Sequence, residues 1–271
     1  MFVITGATGN VGGELVRLLA AAGEQVTAVS RRPAPLPEGV RHSAGDLGDP
    51  ASLKDAFDGA GALFLLVAGH EPHAVLEAAR AGGIRRIVLL SSQGAGTRPG
   101  LYGHPAAFEQ AVRESGLEWT ILRPGGFASN ALAWAEPIRA HRTAAAPFAD
   151  VALPVIDPAD IAEVASVVLR EDGHAGRTYV LTGPQPVSPR ERAAAIGQAL
   201  GTEVRFVEQS HEEARAQMLT FMPEQAVEGT LTILGTPTEE ERQVSPDVER
   251  LLGRAPRTFA SWAARNIAAF R

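Results

Sequence analysis

The residues best suited to proton chemistry lie close together in the chain: Ser92, Tyr102, His104 and Glu109. Reduction of a carbonyl needs a proton for the developing alkoxide, and hydroxyl, imidazole or carboxyl groups can each give one. A free phenol has a pKa of about 10, so near neutrality Tyr102 needs an adjacent cation to act as an acid. Four residues on stands Ala106, and the single lysine of the 271 residues, Lys54, is far back in the chain. An imidazole titrates in the useful range. His104 precedes Pro105, where a helix start would favour a neutral imidazole donor. It is either that donor or a loop histidine satisfied by backbone groups. Ser92 is a further candidate, Glu109 a weaker one, and a third route takes the proton from water or from the substrate itself.

A second group of residues is built to bind. Gly6, Gly9 and Gly12, with Ala7, Thr8, Asn10 and Val11 between them, separate an apolar run from an amphipathic one. A sharp turn, an approach to pyrophosphate without a Cβ, and close helix–strand packing each select glycine. The following helix start offers N–H groups and partial positive charge to phosphate. About 20 residues further on, where the adenosine ribose is read, stand Ser30, Arg31 and Arg32. An NAD site favours a carboxylate there, whereas two guanidinium groups suit the 2′-phosphate of NADP(H). NADPH is therefore the expected cofactor. Asp46, followed by Leu47, either accepts from the adenine amine or bends its own loop.

These residues need strands and helices to hold them. Apolar runs at Phe2–Thr5, Gln25–Ser30, Ala62–Val67, Arg86–Ser91 and Trp119–Leu122 predict buried strands, with a shorter one at Arg41–Ala44. Val11–Ala22, Ser52–Phe57, Pro72–Ala81 and Pro105–Ser115 carry helical spacing between them. This alternation predicts an α/β fold: a doubly wound parallel sheet with helices on both faces. After Pro124 the pattern changes. Ala128–Ala140, Asp160–Arg170, Pro189–Leu200, His211–Leu219, Glu224–Leu231 and Pro256–Ala269 read as helices. Ala152–Ile156 reads as extended, and Thr178–Leu181 and Glu203–Val207 as strands. Gly125 and Gly126 are the candidate hinge.

Composition removes several classes of function. A net charge of −6 argues against a nucleic-acid partner. Without cysteine there is no thiol nucleophile, disulfide or thiolate metal site. No metal is expected, because His70 and His73 have no matching downstream ligands. No run reaches membrane-span length and no signal-peptide pattern precedes the first strand, so a cytoplasmic protein is expected.

The run Gly6–Gly12, the Gly45-Asp46-Leu47 turn and Ser91-Ser92 resemble those of atypical short-chain dehydrogenases. Residues 115 to 130 (SGLEWTILRPGGFASN) and 157 to 169 (DPADIAEVASVVL) are most similar to the NmrA-like branch, and the resemblance covers most of the chain. That branch includes quinone and azo reductases, ketoreductases of aromatic polyketide pathways, and NADP(H)-binding redox sensors without turnover. The resemblance implies a Rossmann domain over 1–125 and a smaller α+β substrate part over 126–271, some segments of which return to the Rossmann core. It places Val67 and Ala68 near the cofactor, Ser91, Ser92 and Gln93 beside the nicotinamide, and Pro124, Gly125 and Phe127 along its pocket.

Relatives that catalyse with a lysine have it within residues 104 to 110; none occurs here, which excludes lysine-assisted reduction. Phe127, Asn130, Trp134, Met218, Phe221 and Met222 are the candidate substrate pocket, and Phe148 is a further large apolar residue of that half. The Met218–Met222 segment is either a lid or the small part's own core, and Leu132 is read as core. The expectation is an NADPH-dependent reductase of a quinone or activated, aromatic or polyketide-like ketone, monomeric or homodimeric. The alternative is a non-catalytic NADP(H) sensor.

Overall fold

The computed structural model describes every residue, Met1–Arg271. Nine strands form two sheets. The larger contains β1 (Phe2–Thr5), β2 (Val26–Ser30), β3 (Arg41–Ala44), β4 (Ala62–Leu66), β5 (Arg86–Leu90), β6 (Glu118–Pro124) and β8 (Arg177–Leu181), in the order 3-2-1-4-5-6-8. Strands β1 to β6 pair in parallel. The smaller sheet is the parallel pair β7 (Thr143–Ala146) and β9 (Arg205–Glu208).

The doubly wound Rossmann-like architecture follows from strands buried on both faces. Val3, Leu63, Leu65, Ile87, Leu89 and Ile121 join one cluster with Phe57, Val75, Leu76, Phe108 and Val112. The intervening Ile4, Phe64 and Val88 are also fully buried, and strand alternation turns them to the opposite face. There the helices Gly12–Ala21 and Pro158–Arg170 pack together, while Pro72–Ala81 packs against Gly103–Glu114 on the first face. The order of strands reverses between β1 and β4, the place where a parallel sheet of this kind opens a crevice at its carboxyl ends.

The chain divides into two compact units. The first comprises Met1–Ala95, Gly103–Pro124 and Pro158–Val180 and holds the large sheet. The second comprises Gly96–Tyr102, Gly125–Asp157 and Leu181–Arg271. Its core is built from Trp134, Ile138, Ile196, Phe259, Trp262 and Phe270, with a separate small cluster of Ala214, Val227 and Leu231.

Several second-unit elements differ from expectation. Ala128–Ala140 is a 3-10 segment, Ala128–Trp134, followed by the helix Ala135–His141. Pro137 lacks an N–H and is tolerated only in a helix's first turn, so the regular helix begins just before it. Thr143–Ala146 is a strand despite its alanines, because β9 pairs with it from Arg205 to Glu208. Ala152–Ile156 forms only single bridges, Leu153 to Val187 and Ile156 to Phe127. The unexpected helix Glu239–Arg242 is held by a capping box in which Thr238 accepts from the Glu241 N–H. No helix is long and apolar enough to cross a membrane.

Candidate functional site

In the first unit, β1 runs directly into the glycine loop. Gly6 adopts a left-handed φ of 61°, and its carbonyl accepts from the Gly9 N–H at 2.9 Å. A Cβ on Gly12 would overlap the Gly6 carbonyl, and one on Gly6 would overlap the Leu66 side chain. The turn therefore closes only with glycine at both places. Thr8, Gly9 and Asn10 are exposed at its rim, Val11 is buried, and no side chain caps the Gly12–Ala21 helix. The cradle thus has the shape and polarity that a pyrophosphate needs.

At the end of β2, Ser30 donates to the Arg32 carbonyl at 2.7 Å. The Arg31 and Arg32 side chains are exposed and have no acidic partner. After β3, Asp46 is exposed and its Oδ1 accepts from the Gly48 N–H at 2.9 Å, so it shapes its own turn. Leu47 is buried in the core. The Val67–Gly69 turn after β4 runs against this loop: Gly69 has φ 77°, and a Cβ there would overlap the Leu47 carbonyl.

His104, on the Gly103–Glu114 helix, lies 2.7 Å from that same turn, Nε2 to the Gly69 carbonyl. A carbonyl only accepts, so Nε2 carries the proton and, in the neutral ring, Nδ1 is a lone pair. The ring also meets Phe108 edge-on, with centroids 5.2 Å apart.

Around the end of β5, Ser91 donates to Glu109 Oε1 at 2.7 Å. Arg123 grips the same carboxylate twice, at 2.9 and 2.6 Å, and Arg113 adds a bond of 2.9 Å. Glu109 is only 1% exposed. Burial works against its charge, but the bonds from Arg123, Ser91 and Arg113 outweigh it and hold the carboxyl below the usual range. Glu109, a weak acid candidate by sequence, is a structural anion. Ser92 accepts from the Gly94 N–H at 3.2 Å, and Gln93 is buried beside it. Val67 and Ala68 are half-buried at the end of β4, and Pro124 closes β6.

Tyr102 belongs to the second unit, where its ring lies against Gly229 and its hydroxyl bonds Thr230. Burial pushes its phenol pKa up, which removes it further from acid catalysis. Nearby Arg98 forms a two-pronged pair with Glu241 at 2.8 and 2.9 Å, and Thr97 donates to the same carboxylate at 2.7 Å. Gly125 donates to the Leu181 carbonyl at 2.9 Å and Ala128 to Ile156 at 2.7 Å, fixing the backbone on either side of Phe127. The Asn130 side of that turn is exposed.

Trp134, expected in a pocket, is a core residue 8% exposed. Its indole N–H donates to Ala145 at 2.8 Å, and the Arg192 guanidinium lies over its ring. Met218 and Met222 pack with Phe148 on the small cluster, and Phe221 is 70% exposed. No three His, Cys, Asp or Glu side chains are grouped to hold a metal ion.

Sequence reasoning missed Gly69, Arg123 and the Arg98–Glu241 pair. Glu109 and Arg113 stand four apart on one helix, and Thr238-x-x-Glu241 spells a capping box; both were readable. Their partners across the fold were not.

Residues 6–172 match a family model described as NAD(P)H-binding. Over 280 residues the chain is 36% identical to the (4-alkanoyl-5-oxo-2,5-dihydrofuran-3-yl)methyl phosphate reductase of Streptomyces griseus, covering 100% of this chain and 99% of that protein. It is 33% identical to the NAD(P)H azoreductase of Xenophilus azovorans, with the same coverage of both. The solved structure of the NADPH-dependent quinone oxidoreductase of Escherichia coli, complexed with NADPH, matches with a TM-score of 0.82 at 26% identity, over 98% of this chain and 99% of that one.

Proposed function

Since the chain belongs to the NAD(P)H-binding family, in the NmrA-like branch of atypical short-chain dehydrogenases, and is an NAD(P)H-dependent oxidoreductase, we propose that it uses NADPH to reduce quinones or activated, conjugated ketones. The glycine cradle, Gly6 to Gly12, would hold the pyrophosphate. Arg31 and Arg32 would take the 2′-phosphorylated ribose, with Ser30 bonded to the backbone of their turn, Asp46, Leu47, Val67 and Ala68 the adenine side, and Ser91, Gln93 and Pro124 the nicotinamide. The bound dinucleotide supplies a hydride.

What remains for the chain is the proton. A simple ketone gives a localised alkoxide that needs a strong, positioned acid. The observation that carries the proposal is His104: its neutral-form proton is committed to the Gly69 carbonyl. The other candidates are no better, since burial raises the Tyr102 pKa and Ser92, whose oxygen accepts from the Gly94 N–H, is an alcohol, a far weaker acid than an imidazolium. A conjugated acceptor spreads the incoming charge over several atoms, and its weakly basic oxyanion takes a proton from water. A quinone and an alkanoyl-dihydrofuranone, named for two of the proteins similar to this one, are of that kind; the azo bond named for a third is a conjugated acceptor whose charge falls on nitrogen. The second unit's half-buried Phe148, Met218 and Met222 offer an apolar surface suited to a flat substrate.

NADPH oxidation on a panel of quinones and polycyclic aromatic ketones, with NADH in parallel, tests this. A general acid is worth about 10²–10⁴ in rate. The Tyr102→Phe/His104→Gln double variant is therefore expected to keep its quinone kcat within about tenfold, since no such acid is in use. A loss beyond that range that Tyr102→Phe alone does not show would assign the proton to His104, donating from Nδ1. Absence of turnover on every acceptor would overturn the proposal.

A further inference from the structure

His42 stands on β3 beside β2, in the register that pairs it with Ala28 and Ala44 with Ser30. Its Nε2 lies 3.0 Å from the Ser30 hydroxyl, which in turn lies 2.7 Å from the Arg32 carbonyl. The directions of these bonds follow from proton counting. The Arg32 carbonyl has no proton, so Ser30 donates its only one there, and its oxygen faces His42 as an acceptor. The imidazole must then hold its proton on Nε2. The result is a one-way chain, imidazole to hydroxyl to carbonyl, ending on the backbone of the turn that carries both unpaired guanidinium groups. Neither Arg31 nor Arg32 has an ion pair to hold the turn in place.

We infer that His42 is a positioning residue for cofactor selection: through Ser30 it fixes the Arg31–Arg32 turn in the geometry that favours a 2′-phosphate. Without the imidazole, the Ser30 hydroxyl is free to rotate. Its proton can then go either to the Arg32 carbonyl or to an unphosphorylated ribose. Discrimination between the two dinucleotides would thus depend on a side chain whose ring nitrogen reaches Ser30 and not the ligand. This rests on the assignment of Arg31 and Arg32 to the 2′-phosphate.

The test measures dissociation constants for NADP⁺ and NAD⁺ on the full chain and on His42→Ala, His42→Gln and Ser30→Ala. The NADP⁺-over-NAD⁺ affinity ratio, the NAD⁺ dissociation constant divided by that of NADP⁺, isolates the ribose end, because the two ligands share every other contact. His42→Ala is expected to lower this ratio about five- to tenfold, the effect of one net hydrogen bond. His42→Gln, whose amide can still donate to Ser30, should restore most of it, and Ser30→Ala should lower it like the alanine variant. An unchanged ratio in His42→Ala, or an equal loss for both dinucleotides, would overturn the inference. If His42→Ala does not fold, an unchanged ratio in Ser30→Ala overturns it as well. A wild-type chain without NADP⁺ preference overturns both this inference and the assignment beneath it, and the wild-type ratio alone separates that outcome from the others.

Discussion

The Ser91 hydroxyl donates to Glu109 Oε1 at 2.7 Å, and Arg123 donates to both oxygens of that carboxylate, so the ends of two neighbouring strands are joined through one buried anion. Glu109→Gln would leave Arg123 and Arg113 facing a neutral amide. Losing one partner of a buried ion pair costs about 3–5 kcal/mol. The arginines are partly exposed here, which places the expected loss toward the lower end. Urea unfolding of the variant beside the wild type measures it.

Acid should act through the same group. The Glu109 and Glu241 carboxyls are each opposed by burial but held below the ordinary glutamate range by the arginines and other donors around them. A carboxyl whose folded pKa lies below its unfolded one stabilises fully above the unfolded pKa of about 4.3, and the contribution fades as pH falls through the folded value. Stability is therefore expected to drop as pH falls below about 4.3. The drop should be shallower in Glu109→Gln and Glu241→Gln, as thermal melts across that range would show.

Tyr102→Phe separates packing from chemistry. The phenol is raised by burial and bonded to Thr230, so its loss should cost about 1 kcal/mol of stability. The kcat with a quinone should stay within about twofold, far from the 10²-fold or greater loss expected of a general acid. A pH–rate profile unchanged by the substitution would complete the result.

Glycine variants offer a paired comparison. A Cβ on Gly12 would collide with the Gly6 carbonyl, whereas the methyl that alanine would add at Gly100 meets nothing within 4 Å. Gly12→Ala should cost about 1–3 kcal/mol and lose most NADPH binding, read by fluorescence titration. Gly100→Ala should stay within about 0.5 kcal/mol of wild type.

Replacing Arg31 and Arg32 together by alanine tests the cofactor preference directly. Hydrogen bonds to charged groups are worth about 1.5–3 kcal/mol. The KM for NADPH is therefore expected to rise about ten- to hundredfold with that for NADH nearly constant, in steady-state assays with one quinone.

The first unit is readable because its signals are local. The continuous apolar runs of β1, β4 and β5 and the spaced glycines each occupy fewer than ten residues. Strand Thr143–Ala146 is not, because three alanines carry no strand preference and its pairing partner is some 60 residues away. The same holds for the candidate site. Ser91 and Glu109 both stand out as single residues, but Arg123, which turns Glu109 from an acid into a fixed anion, acts from the next strand. His104 stands out too, yet the carbonyl that sets its tautomer belongs to Gly69, on another turn. Residue types reveal what a side chain is able to do, while its partners, brought in by tertiary packing, decide which of those things it does.

The first unit is not one continuous stretch: the chain leaves it at Ala95, returns at Gly103, leaves at Pro124, returns at Pro158 and leaves again at Val180. A gene segment ending at Pro124 would encode a sheet without β8 and a Gly12–Ala21 helix stripped of its neighbour Pro158–Arg170. The buried face of that helix, which carries Leu15, Val16 and Leu19, would keep only its packing on β1 and β2. The nucleotide-binding half is thus no cassette that recombination can lift out and attach to a new partner. A change of acceptor in such a chain has to be made within the interleaved stretches, since neither unit can be exchanged as one continuous segment.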